Sequence, residues 1–145
     1  MYRKILVPLD GSKVAEGVLP HAKLLAYSEG AELILLTVGA NPALEFAFSD
    51  PGLAQSAIIE QEDRSKKYIA EIEDQLQSAG FKASTLLRVG SVAEVILEVA
   101  DELQVDCIAM STHGRTGPAR WLLGSIAERV VHNSKVPVLL IRATG

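Results

Sequence analysis

Five short apolar-rich runs, each followed or preceded by residues at helical spacing, constrain this chain more than any other feature of it. They are Ile5 to Leu9, Leu33 to Val38, Ala83 to Val89, Asp106 to Met110 and Val136 to Arg142. The first, second and fourth are apolar at consecutive rather than alternating positions, the mark of strands covered on both faces. Between the runs, apolar residues recur every three or four positions: Val14, Val18, Ala22 and Leu25; then Ile69, Ile72, Leu76 and Ala79. Val92, Val95, Ile96, Val99, Ala100 and Leu103 follow, and last come Ala127, Val130 and Val131. Each set makes one apolar face of a helix. Strands and helices alternating in this way predict an α/β fold, a Rossmann-like five-stranded parallel sheet with helices on both faces and right-handed crossovers. Ligands of such sheets bind beyond the carboxyl ends of the strands, where the strand order reverses. If the first and fourth strands adjoin there, Asp10 and the loop from Ser111 to Ser125 face one crevice.

Element boundaries follow from local chemistry. Ser12 can cap the first helix and Gly30 can close it, while Gly17 and Pro20 predict a kink or a late start. A long helix is expected from about Leu53 to Ala79, with Gly80 as its stop and the charged stretch Glu60 to Lys67 facing solvent. Ser91 with Glu94, and Ser125 with Glu128, have the spacing of capping boxes that open the last two helices. Pro137 lacks a ladder donor, which suggests a sheet edge for the last strand. Gly39 to Gly52, carrying Pro42, Phe46, Phe48 and Pro51, reads as a long loop whose phenylalanines need cover from the domain, a ligand or a partner.

At 145 residues the chain suits one domain, 1–145, long enough to bury a core without staples. Hydrophobic residues make up 48% of it, yet the apolar runs are too short to span a bilayer, and no membrane partner is expected. Met-Tyr-Arg-Lys before the brief run from Ile5 shows no signal peptide. The single cysteine, Cys107, cannot form an internal disulfide, fits a reducing cytoplasm and is expected as a small core residue rather than a nucleophile. A net charge of −4 argues against nucleic acid and anionic membranes, while a local basic pocket stays open.

Chemistry concentrates between Asp106 and Val131, DCIAMSTHGRTGPARWLLGSIAERVV. This reads as a strand, a glycine-punctuated loop from Ser111 to Gly124, and a helix opening at the Gly124-Ser125 step. Small residues let backbone N–H groups approach a ligand, and a helix N-terminus favours negative charge, so the unit suits a phosphate. The plainer alternative is that Gly114 and Gly117 only turn the chain and Gly124 only eases packing. Asp10 can accept hydrogen bonds from ribose hydroxyls or an adenine amine, or simply make an Asp-Gly turn. His113 can contact phosphate or act as a base, although a lone loop histidine is more often structural. Arg115 and Arg120 are open between phosphate pairing and solvation, and Trp121 suits packing better than base stacking. No G-x-G-x-x-G follows the first strand and no G-x-x-x-x-G-K-[ST] occurs, which argues against a dinucleotide oxidoreductase and a P-loop NTPase. Nor is there a zinc-type Cys/His cluster or a G-x-S-x-G elbow, and the sequence names no catalytic nucleophile.

From Ile-Leu-Val-Pro-Leu-Asp-Gly-Ser near the start to Val-Pro-Val-Leu-Leu-Ile-Arg near the end, the chain resembles a single-domain universal stress protein. Nucleotide-binding members of that family carry glycine, two residues, glycine, nine residues, then glycine and serine or threonine. Here Gly114, the nine residues 115–123 and Gly124-Ser125 match, and Ser111 replaces the first glycine. The resemblance implies a sheet in the order 3-2-1-4-5, a homodimer through Val136 to Arg142, and ATP, with Mg2+, as ligand. It implies Asp10 and the backbone near Val38 at the base and ribose, and Gly114, Gly124 and Ser125 at the phosphates. Pro8, Met110, Ser111, His113, Arg115, Gly117 and Ile126 complete the implied nucleotide site. Three functions stay open: an ATP-binding stress-response or signalling module, a nucleotide-free dimeric interaction protein, and a weak ATPase. Hydrolysis is expected to be slow at most, since His113 is the only evident base.

Overall fold

The computed structural model describes residues 1–39, 51–113 and 124–143. β1 (Lys4–Pro8) leads into α1 (Lys13–Glu16) and α2 (Leu19–Glu29), then β2 (Glu32–Gly39), α3 (Pro51–Ser78) and β3 (Lys82–Val89). After these come α4 (Val92–Glu102), β4 (Cys107–His113), α5 (Ser125–Asn133) and β5 (Val138–Ala143). The strands form one sheet in the order β3-β2-β1-β4-β5, every neighbouring pair parallel. This is the α/β architecture expected from the alternating runs, in the order implied by the resemblance.

A parallel sheet needs cover on both faces, and two apolar layers supply it. On one side Val7, Leu9, Leu33, Leu35 and Ala109 pack with Val18, Ala22 and Ala26, and with Ile69, Ile72 and Leu76 of α3. On the other, Leu6, Ile34, Leu36, Ile108 and Met110 pack with Ile96 and Val99 of α4 and with Ala127 and Val130 of α5. Successive strand residues go to opposite layers, which is why the inner runs are apolar without alternation. Fully burying one such side chain contributes about 1.5–3 kcal/mol relative to leaving it in water.

Several boundaries differ from expectation for identifiable reasons. The first helix is two pieces: the amides of Gly17 and Val18 bond three residues back, to Val14 and Ala15, and Pro20 cannot donate to the turn before it. Ser12 does cap α1, its Oγ accepting from Ala15 N at 3.1 Å. α3 starts at Pro51, earlier than Leu53, because proline suits a first helical turn. Ala79 lies past the last turn that α3 lays on the sheet and is exposed, as is Val131 on α5. Ser91 occupies the cap position of α4 without a side-chain cap bond, and Glu94 instead pairs with Arg129 of α5. The loop expected from Gly39 to Gly52 loses its ends to β2 and α3; Pro42, Phe46 and Phe48 lie outside the described residues. β5 is an edge strand, and the carbonyl of Pro137 just before it accepts from Ile108 N at 3.0 Å.

Candidate functional site

The chain leaves β1 toward α1 and α2 in one layer and leaves β4 toward α5 in the other, so the order of strands reverses between β1 and β4. Pairing between these two strands is confined to Ile5 with Cys107 and Leu6 with Ile108, whereas β1 stays paired with β2 from Lys4 to Pro8. Beyond Leu6 and Ile108 the ladder ends, and there the sheet opens into a cleft of ≈ 280 Å³. That is near the lower end of small-molecule sites, roughly 300–1,000 Å³.

Of the residues expected at a nucleotide site, Pro8, Asp10, Val38, Met110, Ser111, Gly124, Ser125 and Ile126 line this one cleft. His113 ends β4, which runs further than the sequence suggested, but its side chain is outside the described set. Gly114, Arg115 and Gly117 lie outside the described residues altogether, as do Arg120 and Trp121. Sequence reasoning missed an apolar wall made by Leu36, Val92 and Ile96, because their spacing is indistinguishable from ordinary core spacing. It also assigned Val14 to the core, whereas Val14 lines the cleft.

Asp10 holds the turn that leads out of β1. Its Oδ1 accepts from the amide and the hydroxyl of Ser12, at 2.9 and 2.5 Å, while Oδ2 accepts nothing from the described residues. Gly11, at φ +89°, supplies a backbone that residues with a Cβ rarely adopt. Asp10 thus makes the turn, and among the described residues its Oδ2 stays unengaged. The Tyr68 hydroxyl of α3 donates to Glu16 Oε2 at 3.0 Å, which fixes the end of α1 against the long helix.

Burial pushes the Tyr68 pKa up, and the Glu16 carboxylate, by hydrogen bond and charge, and the charge of Asp10 push it further, against a smaller opposing bond to the Gly11 backbone. The folded chain therefore holds the phenolic proton more tightly than the unfolded chain does. The stability from this proton is fully present below the unfolded value of about 10 and is lost as pH rises above it. Wild-type melting temperature is expected to fall more steeply than that of Tyr68→Phe between about pH 9 and 11. Equal slopes in thermal melts would show that Tyr68 does not carry this dependence.

The opposite wall is the start of α5. Gly124 is the cap residue at φ 91° and makes no side-chain cap bond, so Ser125 is already helical and the expected capping box with Glu128 does not form. The first helical bond runs from Glu128 N to Gly124 O at 3.0 Å. Helix geometry leaves the N–H groups of Ser125, Ile126 and Ala127 without intrahelical partners. Among the described residues a Cβ on Gly124 would meet Thr112 Oγ1, at 3.7 Å, and the positive φ calls for glycine there. A separate feature of the cleft is the Ser111 hydroxyl, whose oxygen is buried and has no hydrogen-bond partner among the described residues.

The sequence pattern of the universal stress protein family matches residues 1–142. Universal stress protein MJ0577 of Methanocaldococcus jannaschii is 33% identical over 98% of this chain and 96% of its own length. A solved structure of MJ0577 superposes with a TM-score of 0.85 at 32% identity, covering 100% of this chain and 99% of that one. Two further structures share the fold at 23% identity each. One, a universal stress protein in complex with cAMP, has a TM-score of 0.74 and covers 99% of this chain and 98% of its own. The other, from Archaeoglobus fulgidus and in complex with dAMP, has a TM-score of 0.63, with coverages of 97% and 98%. From the family pattern, the whole-length identity and the shared sheet order, the chain belongs to the universal stress protein family.

Proposed function

We propose that this chain binds ATP in the β1–β4 cleft as the ligand switch of a stress-response or signalling module, and turns it over slowly if at all. One observation carries the proposal: a single cleft is lined by Asp10 at the end of β1 and by the uncapped N-terminus of α5 at Gly124 and Ser125. The carboxylate accepts from hydroxyl or amine donors; the helix start offers amides and the positive end of a dipole to an anion. A nucleotide carries both kinds of group on one molecule. The apolar wall of Leu36, Val38, Val92 and Ile96 gives a base somewhere to lie. Two proteins of this fold hold adenine nucleotides, cAMP and dAMP, in their solved complexes.

In the proposed pose Asp10 and the backbone near Val38 hold ribose and base, between Pro8 and Met110. The amides of Ser125 and Ile126 hold phosphate beside Gly124, with His113 at the end of β4 and Gly114, Arg115 and Gly117 after it as further contacts. Among the described residues no three His, Cys, Asp or Glu side chains come together to hold a metal ion. A Mg2+ ion at this site would ride mainly on phosphate oxygens. A nucleotide-free interaction protein, the alternative, would leave the first amides of α5 and the Ser111 hydroxyl without ligands.

Binding energy from such a cleft falls on ground and transition states alike, and uniform binding does not raise the chemical rate. A multiple-turnover phosphate-release assay is expected to give less than about 1 s⁻¹, the low end of ordinary enzymes. Faster turnover that is abolished by His113→Ala would make the protein an ATPase and overturn the switch.

The proposal includes a homodimer through Val136 to Arg142. β5 is an open edge, and its apolar residues Val138, Leu139, Leu140 and Ile141 are only partly covered. Among the described residues no helix is long and apolar enough to cross a membrane. With Cys107 free and buried, we place the protein in a reducing cytoplasm.

A further inference from the structure

We infer that the Ser111 hydroxyl donates a hydrogen bond to the phosphoryl group nearest the sugar of the bound nucleotide, which makes Ser111 a residue that distinguishes nucleotides from nucleosides. This rests on the ATP site proposed above and goes beyond it by assigning one hydroxyl to one ligand group.

Among the described residues, Ser111 Oγ and Thr37 Oγ1 are the buried side-chain oxygens that bond to nothing. A hydroxyl taken out of water without a partner costs free energy, and folded chains seldom leave that cost uncompensated. Thr37 is not part of the cleft lining, but Ser111 is. Only at Ser111, then, can a ligand in the cleft supply the missing partner.

Its place in the fold says which ligand group that is. Ser111 lies on β4 beyond the last rung shared with β1, and strand alternation gives it the face of Cys107 and Ala109, in the layer of α1. The next residue, Thr112, takes the opposite face and approaches Gly124 at the start of α5. Ser111 therefore stands between the Asp10–Ser12 turn and the α5 amides. A nucleotide with its ribose at Asp10 and its outer phosphates at α5 passes Ser111 with its first phosphate.

Among the described residues no group bonds to this hydroxyl. The neighbouring hydroxyl, Ser12 Oγ, already donates to Asp10 Oδ1 and accepts from Ala15 N. Ser111 itself is only partly buried and lines the cleft. A phosphate oxygen is an acceptor with negative charge, and a hydroxyl bond to it is stronger than one between neutral groups.

The test is calorimetric titration of adenosine, AMP and ATP into nucleotide-stripped wild type, Ser111→Ala and Thr37→Val, with melting temperatures of the free proteins. Ser111→Ala is expected to bind AMP and ATP about tenfold more weakly, a typical worth of one charge-assisted bond, and adenosine as wild type does. Free of ligand, both variants are expected to melt about 2–4 °C higher, since each removes an unpartnered buried oxygen. Thr37→Val is expected to keep wild-type affinity for all three ligands. Equal affinity of Ser111→Ala and wild type for AMP and ATP overturns the inference and leaves the ATP site standing. A matching loss for adenosine, or a lower melting temperature of free Ser111→Ala, also overturns it. Failure of the wild type to bind any of the three removes the ATP site and this inference together.

Discussion

Ser125→Asp is expected to weaken ATP binding at least about a hundredfold without lowering the melting temperature. Ser125 is the first residue of α5, is exposed, and makes no cap bond whose loss would cost stability. A carboxylate in the first turn of a helix is favoured by the dipole, typically by about 0.3–1 kcal/mol. The same carboxylate set against a phosphate is a like-charge contact, costing several kcal/mol, and roughly 3 kcal/mol corresponds to a hundredfold in affinity. Adenosine, which has no phosphate, is expected to bind the variant nearly as it binds wild type. Wild-type ATP affinity in Ser125→Asp would place the phosphates somewhere other than the start of α5. Gly124→Val would be less informative because a side chain at φ 91° strains the backbone by roughly 1–3 kcal/mol.

Leu140→Pro is expected to convert a homodimer into a monomer that still folds. The carbonyl of Pro137 points at β4, where it accepts from Ile108 N. In a parallel ladder the backbone groups of alternate residues face one neighbour, so those of Val138 and Leu140 face the open edge. Proline at 140 removes an outward donor and leaves the bonds to β4 in place. Sedimentation at micromolar concentration is expected to give a dimer for wild type and a monomer for the variant, with dimer affinity reduced at least about a hundredfold. Cooperative melting of the variant is the control for folding. A monomeric mass for the unmodified chain would remove the dimer from the proposal.

The sheet was legible because burial on both faces writes itself into sequence: Ile5 to Leu9 and Leu33 to Val38 have few other uses than inner parallel strands. The last strand lies at the edge as Pro137 suggested, but Pro137 precedes β5 and its backbone faces β4, so its missing donor is not what leaves the edge open. The break between α1 and α2 was visible in Gly17 and Pro20 as a kink or a late start, though which of the two it would be was not. Caps were less legible. Ser91-x-x-Glu94 and Ser125-x-x-Glu128 have the right spacing, yet Arg129 takes the carboxylate of Glu94, and Gly124 takes the cap position through a backbone angle that spacing does not encode.

The cleft was half legible. Asp10, Gly124 and Ser125 announce themselves by chemistry and position, whereas Leu36, Val92 and Ile96 look like core in any sequence. Their role depends on the ladder between β1 and β4 ending after Leu6 and Ile108, a property of two strands distant in the chain. Ser111 was visible as a departure from the family's glycine, but that its hydroxyl is unpartnered among the described residues is a fact of packing.

The most direct measurement of the central claim is native mass spectrometry of the purified chain, before and after addition of ATP at about millimolar concentration, the upper end of ordinary substrate affinities. The expected result is an added mass of one ATP, with or without Mg2+, for each chain, reduced sharply in Ser125→Asp. A chain that shows only its own mass under both conditions would contradict the account.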